Sequence, residues 1–195
     1  MTKQELGRRR DQAILSLVER FGCLRREQIE RAIFSGRYAG DICRRRLRAL
    51  TRKGALQREL SEPGGQYLYS TAKVGIKRHR LAVADIYLKM LAERRQGERI
   101  EFLTEYALEG HERADAFIIW HTPTVTHLAF LEVQRKGQCN LSKYNRYFRA
   151  GAWKDQAWSK GGTVFPRIVV QGTFRQSSRL HVVSLEGSVR RAVMG

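Results

Sequence analysis

The residues best suited to chemistry lie in the second half of the chain. Asp115 opens an apolar stretch, Arg113-Ala114-Asp115-Ala116-Phe117-Ile118-Ile119-Trp120, and Glu132 lies near the end of the next one, Thr126 to Gln134. The two acids are 17 residues apart, a spacing that suits neighbouring antiparallel strands. Carboxylates brought together in this way can hold Mg²⁺ or Mn²⁺ through oxygen. Such a metal generates hydroxide and stabilises charge on a phosphodiester under attack. In an uninterrupted strand Glu132, Gln134 and Lys136 alternate onto one face. The expected catalytic set is therefore Asp115, Glu132, Gln134 and Lys136, with Asp115 and Glu132 as metal ligands. Glu105 either joins them or is an ordinary strand-end residue. The competing reading makes Asp115 and Glu132 strand-end acids paired with Arg113 and Arg135.

A second chemistry is carried by cations. Six basic residues, Arg44, Arg45, Arg46, Arg48, Arg52 and Lys53, lie between positions 44 and 53 with no acid among them. Arg45, Arg48 and Arg52 share one helical face by their spacing. A solvated face would normally mix Glu among the Arg, so this helix reads as a DNA contact. The planar fork of Arg suits phosphate and guanine edges. The expected DNA-binding residues are Arg25, Arg26, Arg44, Arg45, Arg48, Arg52 and Lys53. Lys143, Arg146 and Arg149 join them from the aromatic-basic stretch Lys143 to Arg149. There, Tyr144 either stacks on a base or packs with Tyr147 and Phe148 against a sheet. Tyr144 and Tyr147 are also the residues placed to serve as a nicking nucleophile, although nothing near them marks that role.

Two sets of elements must position these residues. Helix one spans about Lys3 to Arg20, with Ile14, Leu17, Val18 and Phe21 as its core stripe and Gly22 as its stop. Helix two runs from about Arg25 to Phe34, with Ile29, Ala32 and Ile33 inward. Helix three runs from Ala39 or Gly40 to Lys53, with Cys43, Leu47 and Leu50 as its seam and Gly54 beyond it. Two short strands follow, 55–60 and 66–70, joined by the turn Ser61-Glu62-Pro63-Gly64-Gly65. Three helices and a hairpin is the order of a winged helix-turn-helix, whose third helix enters the major groove. Cys43 reads as a small buried apolar residue. A helix at 79–96 then leads to strands at 99–105, 113–120 and 126–134, a helical stretch at 140–160, and strands at 167–171 and 180–185. This is a helix, a meander, a helix and further strands around a mixed sheet. The expected class is α+β, with a winged helix at 1–78 and an α/β domain at 79–195.

Composition bounds the function. The chain has 195 residues and a net charge of +18, with 42% hydrophobic residues. That is enough apolar content for a packed core, and the surplus charge points to nucleic acid. Residues 1–78 hold 19 Lys+Arg against 8 Asp+Glu, and residues 79–195 hold 18 against 11. No apolar run reaches the length of a membrane span, and no signal-peptide pattern opens the chain. Cys23, Cys43 and Cys139 form no CxxC, and the expected setting is a reducing cytoplasm. His79, His111, His121, His127 and His181 lack zinc spacing. No Walker or dinucleotide loop is present.

The segment Arg113-x-Asp115-Ala116-Phe117, followed by Phe130-Leu131-Glu132-Val133-Gln134-Arg135, resembles the PD-(D/E)xK nuclease-like fold. More narrowly, the order of the chain resembles the replication-relaxation family of plasmids and mobile elements, with a winged helix before a "PDA…LEvD" type segment. Thr71-Ala72-Lys73-Val74-Gly75 and His79 to Asp85 are similar to that family's inter-domain region. The resemblance covers about residues 10–150. It implies a role in plasmid replication, DNA relaxation or conjugative transfer, with replication or transfer proteins as partners. Ala114 stands where the family has proline, and Gln134 where it has lysine. Lysine there would orient the attacking water and bring charge to the transition state. Lys136 is a substitute two residues on; otherwise the domain binds without cutting. The readings left standing are a double-stranded DNA-binding accessory or regulatory factor needing no cofactor, and a metal-dependent endonuclease using Mg²⁺ or Mn²⁺. An RNA-binding protein is a weaker third, because no single-strand aromatic platform is evident. Winged helices often bind palindromes as homodimers, but no heptad seam specifies that here.

Overall fold

A computed structural model describes residues 2–61, 65–72, 78–108, 110, 112–159, 164–177 and 179–195. His111, most of the 61–65 turn and residues 73–75 of the inter-domain segment lie outside the described residues. The chain divides into two compact units, 1–88 and 89–195.

The first unit is built on α1 (Lys3–Phe21), α2 (Arg26–Ile33) and α3 (Ala39–Arg52). A capping box starts α1: the Thr2 side chain accepts from the Glu5 N–H, and the Glu5 carboxylate accepts from the Thr2 N–H. Gly22 ends it in a positive-φ conformation that a side chain would strain (φ 76°). Ile14, Val18 and Phe21 of α1, Ile29 of α2, and Cys43, Leu47 and Leu50 of α3 are all buried, as their spacing requires. Three short strands complete the unit: β1 (Cys23–Arg25), β2 (Gln57–Leu60) and β3 (Tyr67–Ser70). They form an antiparallel sheet in the order β1-β3-β2. β1 was not expected. Its three residues carry no alternation long enough to read, and pairing with β3 makes it a strand.

Helix α4 (Arg78–Glu93) contributes its first residues to this unit. Gln28 is buried on α2 and fully used. Its amide nitrogen donates to Leu81 O at 2.9 Å and Asp85 Oδ1 at 2.7 Å, and its oxygen accepts from the Arg25 N–H at 2.9 Å. A buried amide so satisfied fixes α2 against α4.

The second unit holds a five-stranded mixed sheet in the order β4-β5-β6-β7-β8: β4 (Arg99–Ala107), β5 (Arg113–His121), β6 (Thr126–Gln138), β7 (Arg167–Thr173) and β8 (Val182–Ser184). The first three strands are an antiparallel meander; β6, β7 and β8 are parallel. Parallel pairing of β6 with β7 needs a crossover. It is supplied by α5 (Ser142–Ala150) and two short 3₁₀ turns, where a single helical stretch was expected. Gly151, at φ 76°, ends α5. One face of the sheet carries Phe117, Phe130, Ile168 and Val170, packed with Tyr144, Tyr147 and Trp153 in one aromatic-rich core. Phe117 and Phe130 lie 5.0 Å apart with their rings tilted by 40°, and Phe130 meets Tyr144 at 5.2 Å. Ala116, Ile118, Trp120, Ala129, Leu131 and Val169 alternate with these residues and are also fully buried. A terminal helix, α6 (Val189–Met194), lies against β6 and β7.

The observed class is α+β: helices with a small antiparallel sheet, then a five-stranded mixed sheet with helices. No described helix is long and apolar enough to cross a membrane.

Candidate functional site

The cationic face of the first unit stands on α3. Cys43, Leu47 and Leu50 turn inward, which leaves Arg44, Arg45, Arg48, Arg52 and Lys53 exposed. Arg46 is not part of that face: its guanidinium lies against Asp11 of α1, with Nε donating to Oδ1 at 2.7 Å. Arg44 pairs with Asp41 one turn earlier on the same helix, and Arg26 with its neighbour Glu27 at 2.8 Å. Arg25 reaches Asp85 at 3.5 Å. Arg45, Arg48, Arg52 and Lys53 have no ion-pair partner among the described residues, so their donors remain available to an anion.

Beside this face lies a cleft of about 310 Å³. Arg26, Arg44, Arg48 and Arg58 line it, together with Tyr67 and Tyr69 of the hairpin. Arg58 lies 4.2 Å over the Tyr67 ring, a contact that holds the guanidinium toward the opening. Sequence reasoning missed Arg58. It belongs to β2, whose four residues are all exposed, and only the fold brings it next to Arg48.

The acidic pair forms in the second unit. β5 and β6 pair through Ala116↔Leu131, and one further step of the same register sets Asp115 opposite Glu132. The two are coupled locally: Asp115 Oδ2 accepts from the Val133 N–H at 2.7 Å. Alternation puts both on the face that carries Phe117 and Phe130, at the margin of the aromatic core. Glu132 is buried there. Its Oε1 accepts from the Tyr144 hydroxyl at 2.5 Å and from Lys143 Nζ at 2.8 Å. Burial pushes the Glu132 carboxyl above its ordinary range; Lys143 opposes this and the charge of Asp115 adds to it. Tyr144 is wholly buried, and desolvation beside Glu132 raises its hydroxyl well above the usual value. It is therefore a core residue and a hydrogen-bond donor, and does not offer its ring to a base. Tyr147 is likewise buried and Phe148 partly so, as packing residues.

The other expected members are placed differently. β6 shifts register against β7 between Val133 and Gln138, so Glu132, Gln134 and Lys136 do not continue one regular alternation. The cause is local. Gly172 of β7, at φ 128°, approaches the Gln134 carbonyl so closely that a Cβ there would sit 2.6 Å from its oxygen. Gln134 donates to the Lys136 carbonyl, and Lys136 is exposed. The cation that reaches Glu132 is Lys143, from the first turn of α5, which also donates to Arg113 O at 2.6 Å. Neither Arg113 nor Arg135 is the partner of Glu132. The signal for Lys143 was its place just after a strand, on a crossover helix that must return over the strand ends. Glu105 of β4 stands level with Asp115, but its φ of 54° interrupts the pairing with β5 at that step and its side chain is exposed.

The donor set around Asp115 and Glu132 is therefore two carboxylates and a lysine. No group of three His, Cys, Asp or Glu side chains converges among the described residues. Two carboxylates suffice for Mg²⁺ when water and substrate phosphate complete its shell. Cys43 and Cys139 are buried thiols, pushed up by burial to about 12 and about 11, and are unsuited to nucleophilic work at neutral pH. On the exposed side of α5, Arg149 faces solvent and Arg146 pairs with Glu112.

Comparisons of this chain with protein-family models, with curated proteins and with solved structures find no match.

Proposed function

We propose that this protein binds duplex DNA through α3, as an accessory or regulatory factor in the replication, relaxation or transfer of a plasmid or mobile element. The observation that carries the DNA-binding reading is the set Arg45, Arg48, Arg52 and Lys53, exposed on one helix with no acidic partner among the described residues. Elsewhere in the first unit, Arg25, Arg26, Arg44 and Arg46 are each matched to a carboxylate. In this reading the first unit is a winged helix. Its third helix meets the major groove, and Arg58 of the hairpin reaches the adjoining backbone. The plasmid or mobile-element setting rests on the sequence resemblance alone. Gel-shift titration of a mixed-sequence 20-bp duplex tests the binding. Charge reversal at Arg48 (Arg48→Glu) is expected to weaken it at least tenfold, and unchanged binding would remove α3 from the interface.

A second reading, a metal-dependent endonuclease, is favoured by Lys143. The sequence lacks a lysine two residues after Glu132, yet Lys143 brings an ammonium to 2.8 Å from that carboxylate. Asp115 and Glu132 would hold the metal, which would supply an activated water and charge stabilisation at phosphorus. Lys143 would orient water or offset negative charge as the ester breaks. Nicking of supercoiled plasmid with Mg²⁺ or Mn²⁺, lost in Asp115→Ala/Glu132→Ala, would establish this reading. Absence of nicking at high protein concentration would leave the binding reading alone.

A further inference from the structure

Helix α5 has two faces with opposite chemistry. Leu141, Tyr144 and Tyr147 are buried. Ser142, Asn145, Arg146 and Arg149 recur at the helical period on the other side. That polar face is one wall of an open cleft of about 750 Å³. The opposing wall is the segment after β7, which contributes Arg175 and Arg179. The walls are pinned at their base: the Cys139 N–H donates to Thr173 O at 2.8 Å, and the Thr173 hydroxyl donates to Gly137 O at 2.7 Å. Among the described residues, four arginines line the cleft and no acidic residue does. Arg149, Arg175 and Arg179 have no ion-pair partner among the described residues, while Arg146 is shared with Glu112.

We infer that this cleft binds the phosphates of a single nucleic-acid strand, as a site separate from the α3 face. Arg149 on one wall and Arg175 and Arg179 on the other carry like charge with no carboxylate partner among the described residues, so an anion between them would relieve their repulsion. Besides Cys139 and Leu141, the remaining lining is Asn, Gln and Ser, whose donors suit phosphate and sugar oxygens. No aromatic side chain lines the cleft among the described residues, so the backbone rather than a stacked base is what it would grip. The volume falls in the range of small-ligand pockets and suffices for a short run of one strand's backbone. The inference does not depend on the α3 reading, nor on whether the second unit cuts DNA.

The test uses the full chain with Arg45→Ala/Arg48→Ala as background and a dye-labelled dT12 read by fluorescence anisotropy. Adding Arg149→Gln, Arg175→Gln and Arg179→Gln is expected to weaken dT12 binding at least tenfold. Each lost single-strand phosphate contact removes about 0.7 from the salt slope, so the slope of log K against log salt should fall by roughly 2. The corresponding Arg→Lys triple variant, which keeps the charge, should retain most of that slope. Because all three residues are exposed, tryptophan fluorescence of the variants should match that of the parent. Equal dT12 affinity in the Gln variant would overturn the inference. So would displacement of dT12 by pyrophosphate at equal phosphate concentration, which would make the cleft a site for a free phosphate group. A loss confined to a labelled hairpin duplex, with dT12 binding intact, would also contradict it.

Discussion

Replacing Lys143 by Met removes the one cation that Glu132 faces at close range among the described residues, while keeping an unbranched apolar side chain in its place. In the parent protein both partners are largely withdrawn from water, with the Lys143 side chain 15% exposed and that of Glu132 10% exposed. The variant leaves a buried carboxylate supported by the Tyr144 hydroxyl, with the charge of Asp115 beside it. Removing one member of a buried pair costs about 3–5 kcal/mol. The remaining Tyr144 bond places this case at the lower end, about 3 kcal/mol. All three tryptophans, Trp120, Trp153 and Trp158, belong to the second unit, so their fluorescence follows that unit's unfolding in urea. With a slope of about 2 kcal/mol/M, the midpoint should drop by about 1.5 M. The sign with pH is fixed by the raised Glu132 carboxyl. Its contribution is fully present below the unfolded value of 4.5 and is lost as pH rises through the higher folded value. Lysine removal raises that value further, so the deficit should be large at pH 8 and shrink at pH 5. Glu132→Gln in the Lys143→Met background should recover most of the loss at pH 8. A Lys143→Met protein as stable as the parent at pH 8, or one with the same deficit at both pH values, would refute the reasoning.

Other outcomes follow from the same geometry. Gly172→Ala should destabilise the second unit by about 2 kcal/mol in urea unfolding, because the added Cβ meets the Gln134 carbonyl and φ is 128°. The Glu98 carboxyl is pushed down to about 2, chiefly by the hydrogen bond from Arg190 at 2.7 Å, aided by Trp120. Its contribution is present above the unfolded value of 4.5 and lost as pH falls toward 2, so Glu98→Gln should flatten the acid limb of a melting-temperature profile in that window. Arg46→Met should destabilise the first unit by about 1–3 kcal/mol, read by far-UV circular dichroism, because it strips the half-buried Asp11 of its partner.

Much of the fold could be read along the chain because each helix and strand carries its own periodicity. α1, α3 and the meander β4–β6 fell close to their expected limits, with Gly22 and Gly54 marking the helix ends. β1 and α6 were not legible: three and six residues are too short to show a period, and both are stabilised by what they pack on. The pairing of Asp115 with Glu132 followed from strand spacing alone. The partners of Glu132 did not, because Lys143 and Tyr144 reach it through a crossover helix. Gln134 and Lys136 were placed by assuming an unbroken pleat, which the close approach of Gly172 interrupts. Arg175 and Arg179 look in sequence like a polar loop, and become a wall only opposite Arg146 and Arg149.

We propose α3 as the duplex-binding element. The measurement that tests it most directly is the salt dependence of duplex affinity for the full chain and for its Arg45→Ala/Arg48→Ala variant. Each phosphate contact to B-DNA contributes about 0.9 to the slope of log K against log salt. Weaker binding and a slope shallower by roughly 2 are expected in the variant. The same slope and the same affinity in both proteins would contradict it.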